Sequence, residues 1–170
     1  DGQRDEGDQL EIFWMRGSEY SDAIRIAASY PSIEGRSRIA KMMDESDYRK
    51  WFTPCFKCKK PFVMLREHVH WPQGKPEKAY MECPECGERL TDKMRRKMIV
   101  GGEWRATQPF TGTAGFFLNG MCSPHPVQRG FKSHFHWIAS QVEAIEKSDN
   151  PERSRHVFIN TFDALPYRPE

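Results

Sequence analysis

Apolar positions recur along the chain in short strips between charged stretches, and their spacing predicts brief helices mixed with brief strands. After a polar opening at residues 1 to 9, Leu10 to Met15 is an apolar run closed by Gly17, which predicts one or two helical turns. Ala23 to Tyr30 alternates around Ile24 and Ile26 in strand fashion, and Pro31 stops it. Gly35 breaks the chain again, and Ile39, Met42 and Met43 then share one face of a short helix. Pro61 to Leu65 predicts a short strand. Thr91 is placed to cap a helix that runs to Val100 and ends at Gly101-Gly102. Gly115-Phe116-Phe117-Leu118 predicts a buried strand. Phe131, Phe135, Ile138, Val142 and Ile145 recur at spacings of four and three, the strongest amphipathic helical stripe in the chain. Asn150-Pro151-Glu152 has the chemistry of a helix start, with a capping side chain, proline at the first position and an acid on the positive end of the dipole. That helix is expected to reach Thr161, and Asp163 to Glu170, with two prolines, reads as an outgoing linker.

At 170 residues the chain has the length of one domain, or of a domain with a small insert. Lys and Arg total 26 against 24 Asp and Glu, so the net charge of +2 excludes a polybasic nucleic-acid wrapper and an acidic tail. A mean hydropathy of -0.78 is low for a free-standing enzyme. No run approaches the ~18 apolar residues of a membrane-spanning helix, and no signal-peptide core follows the N-terminus. The opening at Asp1 reads as a piece of a longer chain.

Five cysteines change the picture, because four of them stand in two close pairs. Cys55-Phe-Lys-Cys58 and Cys83-Pro-Glu-Cys86 give C-x2-C twice. Two intervening residues let both thiolates of a pair face one ion from a tight turn, and two such knuckles complete the four-sulfur tetrahedron that zinc prefers. That shell leaves no open position for water, so the expected site is structural rather than catalytic, and the gap between the pairs suits a zinc ribbon. Gly87 fits the positive φ such a knuckle needs, and Lys59 holds the matching place in the first. Cys122 reads as a small packed residue, and His68 and His70 as surface or packing residues rather than ligands. Residues 55 to 105 carry twelve basic and seven acidic side chains, a net +5 that a zinc ion on four thiolates lowers by two, while the rest of the chain is acidic. The densest basic cluster is Arg95-Arg96-Lys97, which reads either as a contact for a DNA backbone or as a solvated helix face.

The chain has no G-x-x-x-x-G-K-[ST] phosphate loop, no Walker B acid pair, no G-x-S-x-G elbow and no spaced carboxylates for a two-metal site. An independent catalytic activity is not expected from it.

In order, the motifs resemble the large subunit of the tailed-phage terminase of the lambda-like GpA type. Glu6-Gly7-Asp8 is similar to the acidic segment after that family's Walker B strand, and Arg16 to an arginine before its next strand. Ile24 to Ala28 resembles that strand, and Ser29-Tyr30-Pro31-Ser32 its ATPase coupling motif, with Tyr30 in place of the usual small hydroxyl. Gly35, Ser37, Arg38 and Ile39 fit a following glycine and Ser-Arg-Ile pattern, and Glu45-Ser46-Asp47 an acidic turn before the ribbon. Phe52, Pro54, Cys55 and Cys58 match the first knuckle, where Phe56 and Lys59 replace the common Pro and Gly. Tyr80, Cys83, Pro84, Cys86 and Gly87 match the second. Gly102 and Trp104 match a Gly-x-Trp step, Gly115-Phe116 with Asn119 and Ser123-Pro124 a later motif, and Phe158, Asn160 and Thr161 a Phe-x-Asn-Thr step before the nuclease domain.

The resemblance implies an α/β fold, part of a P-loop motor ATPase domain interrupted by a four-cysteine zinc ribbon. It divides the chain into a coupling segment at 1–51, the ribbon at 52–106, a return to the ATPase core at 107–162 and a linker at 163–170. The implied function is part of the ATP-driven motor and endonuclease that packages phage DNA into procapsids, in the host cytoplasm. Zinc is expected in this segment, with ATP and Mg on the parent protein. The implied partners are double-stranded DNA, the terminase small subunit, the portal or procapsid and further copies of the motor subunit, with no membrane. The implied site residues are Ser29, Tyr30, Pro31 and Ser32 for coupling, Arg16 for nucleotide sensing, and Cys55, Cys58, Cys83 and Cys86 for the metal. Two other readings stand beside this one: a free-standing zinc-ribbon nucleic-acid or adaptor module, and a zinc-containing segment of another P-loop motor such as a helicase.

Overall fold

Short polar side chains start the helices. In the computed structural model, which describes residues 9–124 and 127–169, α2 (Arg38–Asp44) begins where Ser37 accepts from the Ala40 N–H at 3.4 Å. Thr91 accepts from Met94 at 3.3 Å to start α3 (Asp92–Val100), and Ser133 accepts from His136 at 3.0 Å to start α4 (His134–Glu146). Asn150 accepts from Arg153 at 2.9 Å, and Pro151 opens α5 (Pro151–Phe158). α1 (Gln9–Met15) precedes them. The Glu6-Gly7-Asp8 segment lies outside the described residues.

The strands form two small sheets. β1 (Arg49–Pro54) pairs antiparallel with β2 (Pro61–Phe62) and β6 (Glu103–Arg105), and parallel with β7 (Phe116–Phe117). The register puts Trp51 opposite Trp104, with their rings edge to face at 5.1 Å, and Trp104 meets Phe116 in the same way at 5.1 Å. The Trp51 indole donates to the Ile99 carbonyl at 3.2 Å and closes the end of α3. A Cβ on Gly102 would lie 2.4 Å from that indole nitrogen, so the Gly-x-Trp step has a steric cause. The second sheet joins β3 (Val69–His70), β4 (Tyr80–Glu82) and β5 (Arg89–Leu90), all antiparallel. Val69, Met81 and Leu90 are in register, and all three are buried.

α4 buries Phe135, Ile138 and Ala139, and Phe135 and Ile138 join one hydrophobic cluster with Met64, Met81, Met98 and Met121. Glu143 accepts from the Trp71 indole at 3.1 Å and from the Gly74 N–H at 2.9 Å, which ties α4 to the ribbon loop. Residues 52–106 therefore share one hydrophobic cluster with α4. Phe131, expected to open the helical stripe, lies before α4 with its ring on His136 at 5.2 Å. Asp47, from the expected acidic turn, is buried and accepts from Arg49 at 2.7 Å and the Gly115 N–H at 3.1 Å. Burial opposes its ionisation, but these two donors outweigh burial and hold the carboxyl below its usual range.

Two expectations are corrected. Ala23 to Tyr30 forms no strand, and Ile24 and Ile26 are 85% and 82% exposed. Alternation makes a strand only where a neighbouring strand pairs with its N–H and C=O groups, and no strand pairs with this segment among the described residues. Residues 163–169 do not run outward as a linker. Tyr167 is buried, its N–H donates to Ser32 O at 2.9 Å, and its carbonyl accepts from Glu34 at 2.9 Å. Arg168 pairs with Glu34 beyond it. Tyr167 thus bridges in parallel to Ile33, and the segment lies along residues 32–34.

His134 opens α4 with its ring stacked on Trp137 at 5.7 Å and Nε2 donating to Gly120 O at 3.1 Å. Burial, reinforced by the nearby Arg95 guanidinium, lowers its pKa to about 4. The unfolded chain takes up this proton near pH 6.5 and the folded one only near 4. His134 therefore stabilises the fold fully above pH 6.5 and loses that contribution as pH falls toward 4. Denaturant titrations are expected to show His134→Phe with a flatter stability profile over that window. An unchanged slope would refute the assignment.

Candidate metal centre

Each C-x2-C pair forms the turn of a hairpin. The first knuckle joins β1 to β2, and the second joins β4 to β5. Both repeat one hydrogen-bond pattern. Cys55 N donates to Lys60 O at 2.9 Å and Lys59 N to Cys55 O at 3.1 Å, while Cys83 N donates to Glu88 O at 3.0 Å and Gly87 N to Cys83 O at 2.9 Å. The expected positive φ is present at both matching places, 63° at Lys59 and 69° at Gly87. A residue with a Cβ pays about 1–2 kcal/mol for that conformation. Lys59 carries its side chain back over Phe56, where Nζ donates to Phe56 O at 2.8 Å.

The two turns meet tip to tip. The four sulfurs of Cys55, Cys58, Cys83 and Cys86 all lie within 4.8 Å of one another, and Cys55 Sγ stands 3.9 Å from Cys86 Sγ. A tetrahedron with metal–sulfur bonds of about 2.3 Å has sulfur–sulfur edges of about 3.8 Å, so the cluster has the dimensions of a four-thiolate zinc site. Cys55 and Cys83 are buried in the shared core, Cys58 is half-buried, and Cys86 reaches solvent. Burial works against ionisation of Cys55, but the N–H groups of Cys58 and Lys57 and the neighbouring sulfurs outweigh it and bring the thiol down to about 7. Burial pushes Cys83 up to about 12. At Cys58 the Lys60 N–H pulls down, but burial and the Cys55 and Cys86 thiols push the group up. A divalent ion supplies the positive charge that lets all four ionise together, with release of protons. Lys57–Glu88 at 3.0 Å and Lys60–Glu85 at 3.6 Å bridge the knuckles at the rim.

Cys122, His68 and His70 lie outside the cluster. Cys122 is buried, and burial raises its thiol to about 11. His68 accepts from Leu65 N–H at 3.3 Å and packs edge-on against Phe62 at 5.7 Å.

The basic run divides. Arg96 and Lys97 are exposed on α3, beside Lys93. Arg95 is fully buried, so its expected DNA contact is corrected. Its Nε binds Asp92 at 2.8 Å, and its Nη1 donates to Met121 O at 2.7 Å and Ser123 O at 2.9 Å. Helical spacing turns this one guanidinium of the three inward, where it joins α3 to the turn at 120–123. Nothing in the run of three cations distinguishes Arg95 from its neighbours.

Ser29 to Ser32, expected as the coupling motif, is mostly exposed. Ser29, Tyr30 and Ser32 face solvent, Pro31 is half-buried, and Ser29 Oγ donates to Tyr30 O at 3.0 Å. Arg16 is exposed just after α1. Asn160, from the Phe-x-Asn-Thr step, reaches the carbonyls of Pro31 and Ser32 from far along the chain. Among the described residues no helix is long and apolar enough to cross a membrane.

No curated protein and no solved structure matches the chain. A family model described as the phage terminase large subunit gpA, ATPase domain, matches residues 1–104, a span that holds Ser29 to Ser32 and all four clustered cysteines. With well over half its length matched, the chain belongs to the ATPase-domain family of the phage terminase large subunit gpA.

Proposed function

We propose that this chain is part of the ATP-driven motor that packages phage DNA, that Ser29 to Ser32 couples ATP hydrolysis to DNA movement, and that the four-cysteine ribbon holds one structural zinc. The family match over residues 1–104 carries this reading. The parent protein would bind ATP and Mg on its phosphate loop in a P-loop ATPase fold, with Arg16 sensing nucleotide, and would carry the nuclease domain. It would act on double-stranded DNA in the host cytoplasm as a homo-oligomer with the small subunit and the portal. The proposed divisions are the coupling segment at 1–51, the ribbon at 52–106 and the return to the ATPase core from 107. A free-standing ribbon module has less support, because the ribbon shares its core with α4.

A segment beside the nucleotide can shift when the γ-phosphate leaves and hand that shift to the element that follows. In this chain the following element is α2, whose cap Ser37 already accepts from the Ser32 N–H at 3.1 Å. In the full-length motor, Ser29→Ala is expected to leave ATP binding intact and lower DNA translocation, measured as DNA protected inside procapsids. Unchanged packaging would remove Ser29 from the coupling role.

Arg96 and Lys97 are the proposed DNA-backbone contacts. Replacing either cation by alanine should weaken DNA binding across all sequences and reduce the salt slope by about one. Filter binding of Arg96→Ala and Lys97→Ala proteins at several salt concentrations tests this, and an unaltered slope makes α3 a plain solvated face.

A further inference from the structure

The exit of the coupling segment is held by a side chain about 130 positions downstream. α5 gives way at Ile159 to a single π-helical turn, Ile159–Asp163, a rare geometry that is frequent at functional sites. Asn160 lies in this turn and is only 6% exposed. Its Nδ2 donates to Pro31 O and, at 2.7 Å, to Ser32 O. Two carbonyl acceptors fix which end of the amide faces them. The other end, Oδ1, is buried with no partner, so the donor pair alone orients this side chain. The same turn reaches the ribbon on its other side. Asp163 accepts from Arg66 Nε at 2.9 Å and Nη2 at 2.9 Å, a fork that spans residues 66 and 163. Tyr167 N–H adds a second hold on Ser32 O at 2.9 Å.

We propose that Asn160 is a positioning residue for coupling: it latches the Pro31–Ser32 exit to the π-helical turn, and Asp163 passes displacements of that exit to the metal-binding ribbon through Arg66. The proposal rests on the coupling role of Ser29 to Ser32. A rigid tie of this kind carries motion because the short amide allows no slack at either carbonyl. The contiguous path from Ser32 to Asn160 to Asp163 to Arg66 joins the two parts of the chain within the matched family region to each other through residues outside it.

The test uses the full-length terminase large subunit with procapsids, and measures ATP turnover and packaged DNA in one reaction alongside zinc content. With both donors removed in Asn160→Ala, ATP turnover is expected to stay within about twofold while DNA packaged per ATP falls by about tenfold, the effect of losing hydrogen bonds worth ~1.4 kcal/mol. Parallel loss of turnover and packaging would reduce Asn160 to a structural residue, and unchanged packaging would overturn the latch. Ser29→Ala is run beside it. Uncoupling by Asn160→Ala with normal packaging by Ser29→Ala refutes the Ser29 role and leaves the latch standing; the reverse overturns the latch alone. Hydrogen exchange of the unaltered protein is a readout independent of any variant's folding. Nucleotide-dependent changes at residues 29–37 are expected to appear together with changes at 159–167, and changes confined to 29–37 overturn the proposal.

Discussion

Cys83→Ser is expected to cost the protein its metal and the cooperative fold of the ribbon. Cys83 is 1% exposed and sits in the core beside the β4–β5 hairpin, so its replacement opens the tetrahedron from the inside. Structural four-ligand zinc sites contribute about 10–16 kcal/mol of apparent binding energy in small peptides, comparable with the roughly 5–15 kcal/mol that holds a whole domain together. Loss of one ligand forfeits much of that sum. The damage should also spread, because Met81 and Met98 of the ribbon share one cluster with Phe135 and Ile138 of α4. Metal analysis should find about one zinc per chain in the unaltered protein and well below that in Cys83→Ser, with a broadened thermal transition. Cys122→Ser is the control, because this buried thiol lies outside the four-sulfur group and should leave the metal content unchanged. A Cys83→Ser protein with full zinc and an unaltered melting temperature would refute the metal centre.

The second large effect is expected at Arg95. Its guanidinium is fully buried, and its removal leaves the Asp92 carboxylate nearly enclosed and the Met121 and Ser123 carbonyls without their donor. Arg96 also approaches Asp92, at 3.7 Å, but from an exposed position that compensates poorly. Breaking a buried pair from one side costs about 3–5 kcal/mol. Arg95→Ala should therefore shift the urea midpoint far more than Arg96→Ala, whose exposed pair is worth about 0–1 kcal/mol. Arg95→Lys should rescue little, since one ammonium cannot span a carboxylate and two carbonyls in the guanidinium's geometry. Removing both partners, as in Arg95→Met with Asp92→Asn, should recover part of the loss. A midpoint for Arg95→Ala equal to that of Arg96→Ala would show that the buried cation is not a structural clamp.

Local chemistry made several features legible. The caps at Thr91 and Asn150 are short side chains whose oxygens reach the first free N–H groups of a helix, whatever lies around them. The cysteine knuckles are equally local, and Gly87, with Lys59 in the matching place, takes its positive φ within five residues of the first cysteine of its own pair. The misread segments depend on neighbours. Ala23 to Tyr30 has strand alternation and no pairing partner among the described residues. The proline-containing tail resembles a linker until Tyr167 meets Ser32. Phe131 continues a stripe numerically but precedes the Ser133 cap that begins the helix.

The sequence by itself determined the hairpin knuckles, the identity of the four clustered cysteines, most helix starts and the family, because each depends on residues close together along the chain or in fixed order. Only the tertiary structure decided which cation of Arg95-Arg96-Lys97 is buried, that ribbon and α4 share one core, and that Asn160 holds the carbonyls of Pro31 and Ser32. Those outcomes depend on contacts between residues far apart in sequence. Burial and pairing arise when surfaces meet, and the residue types alone do not say which surfaces will do so.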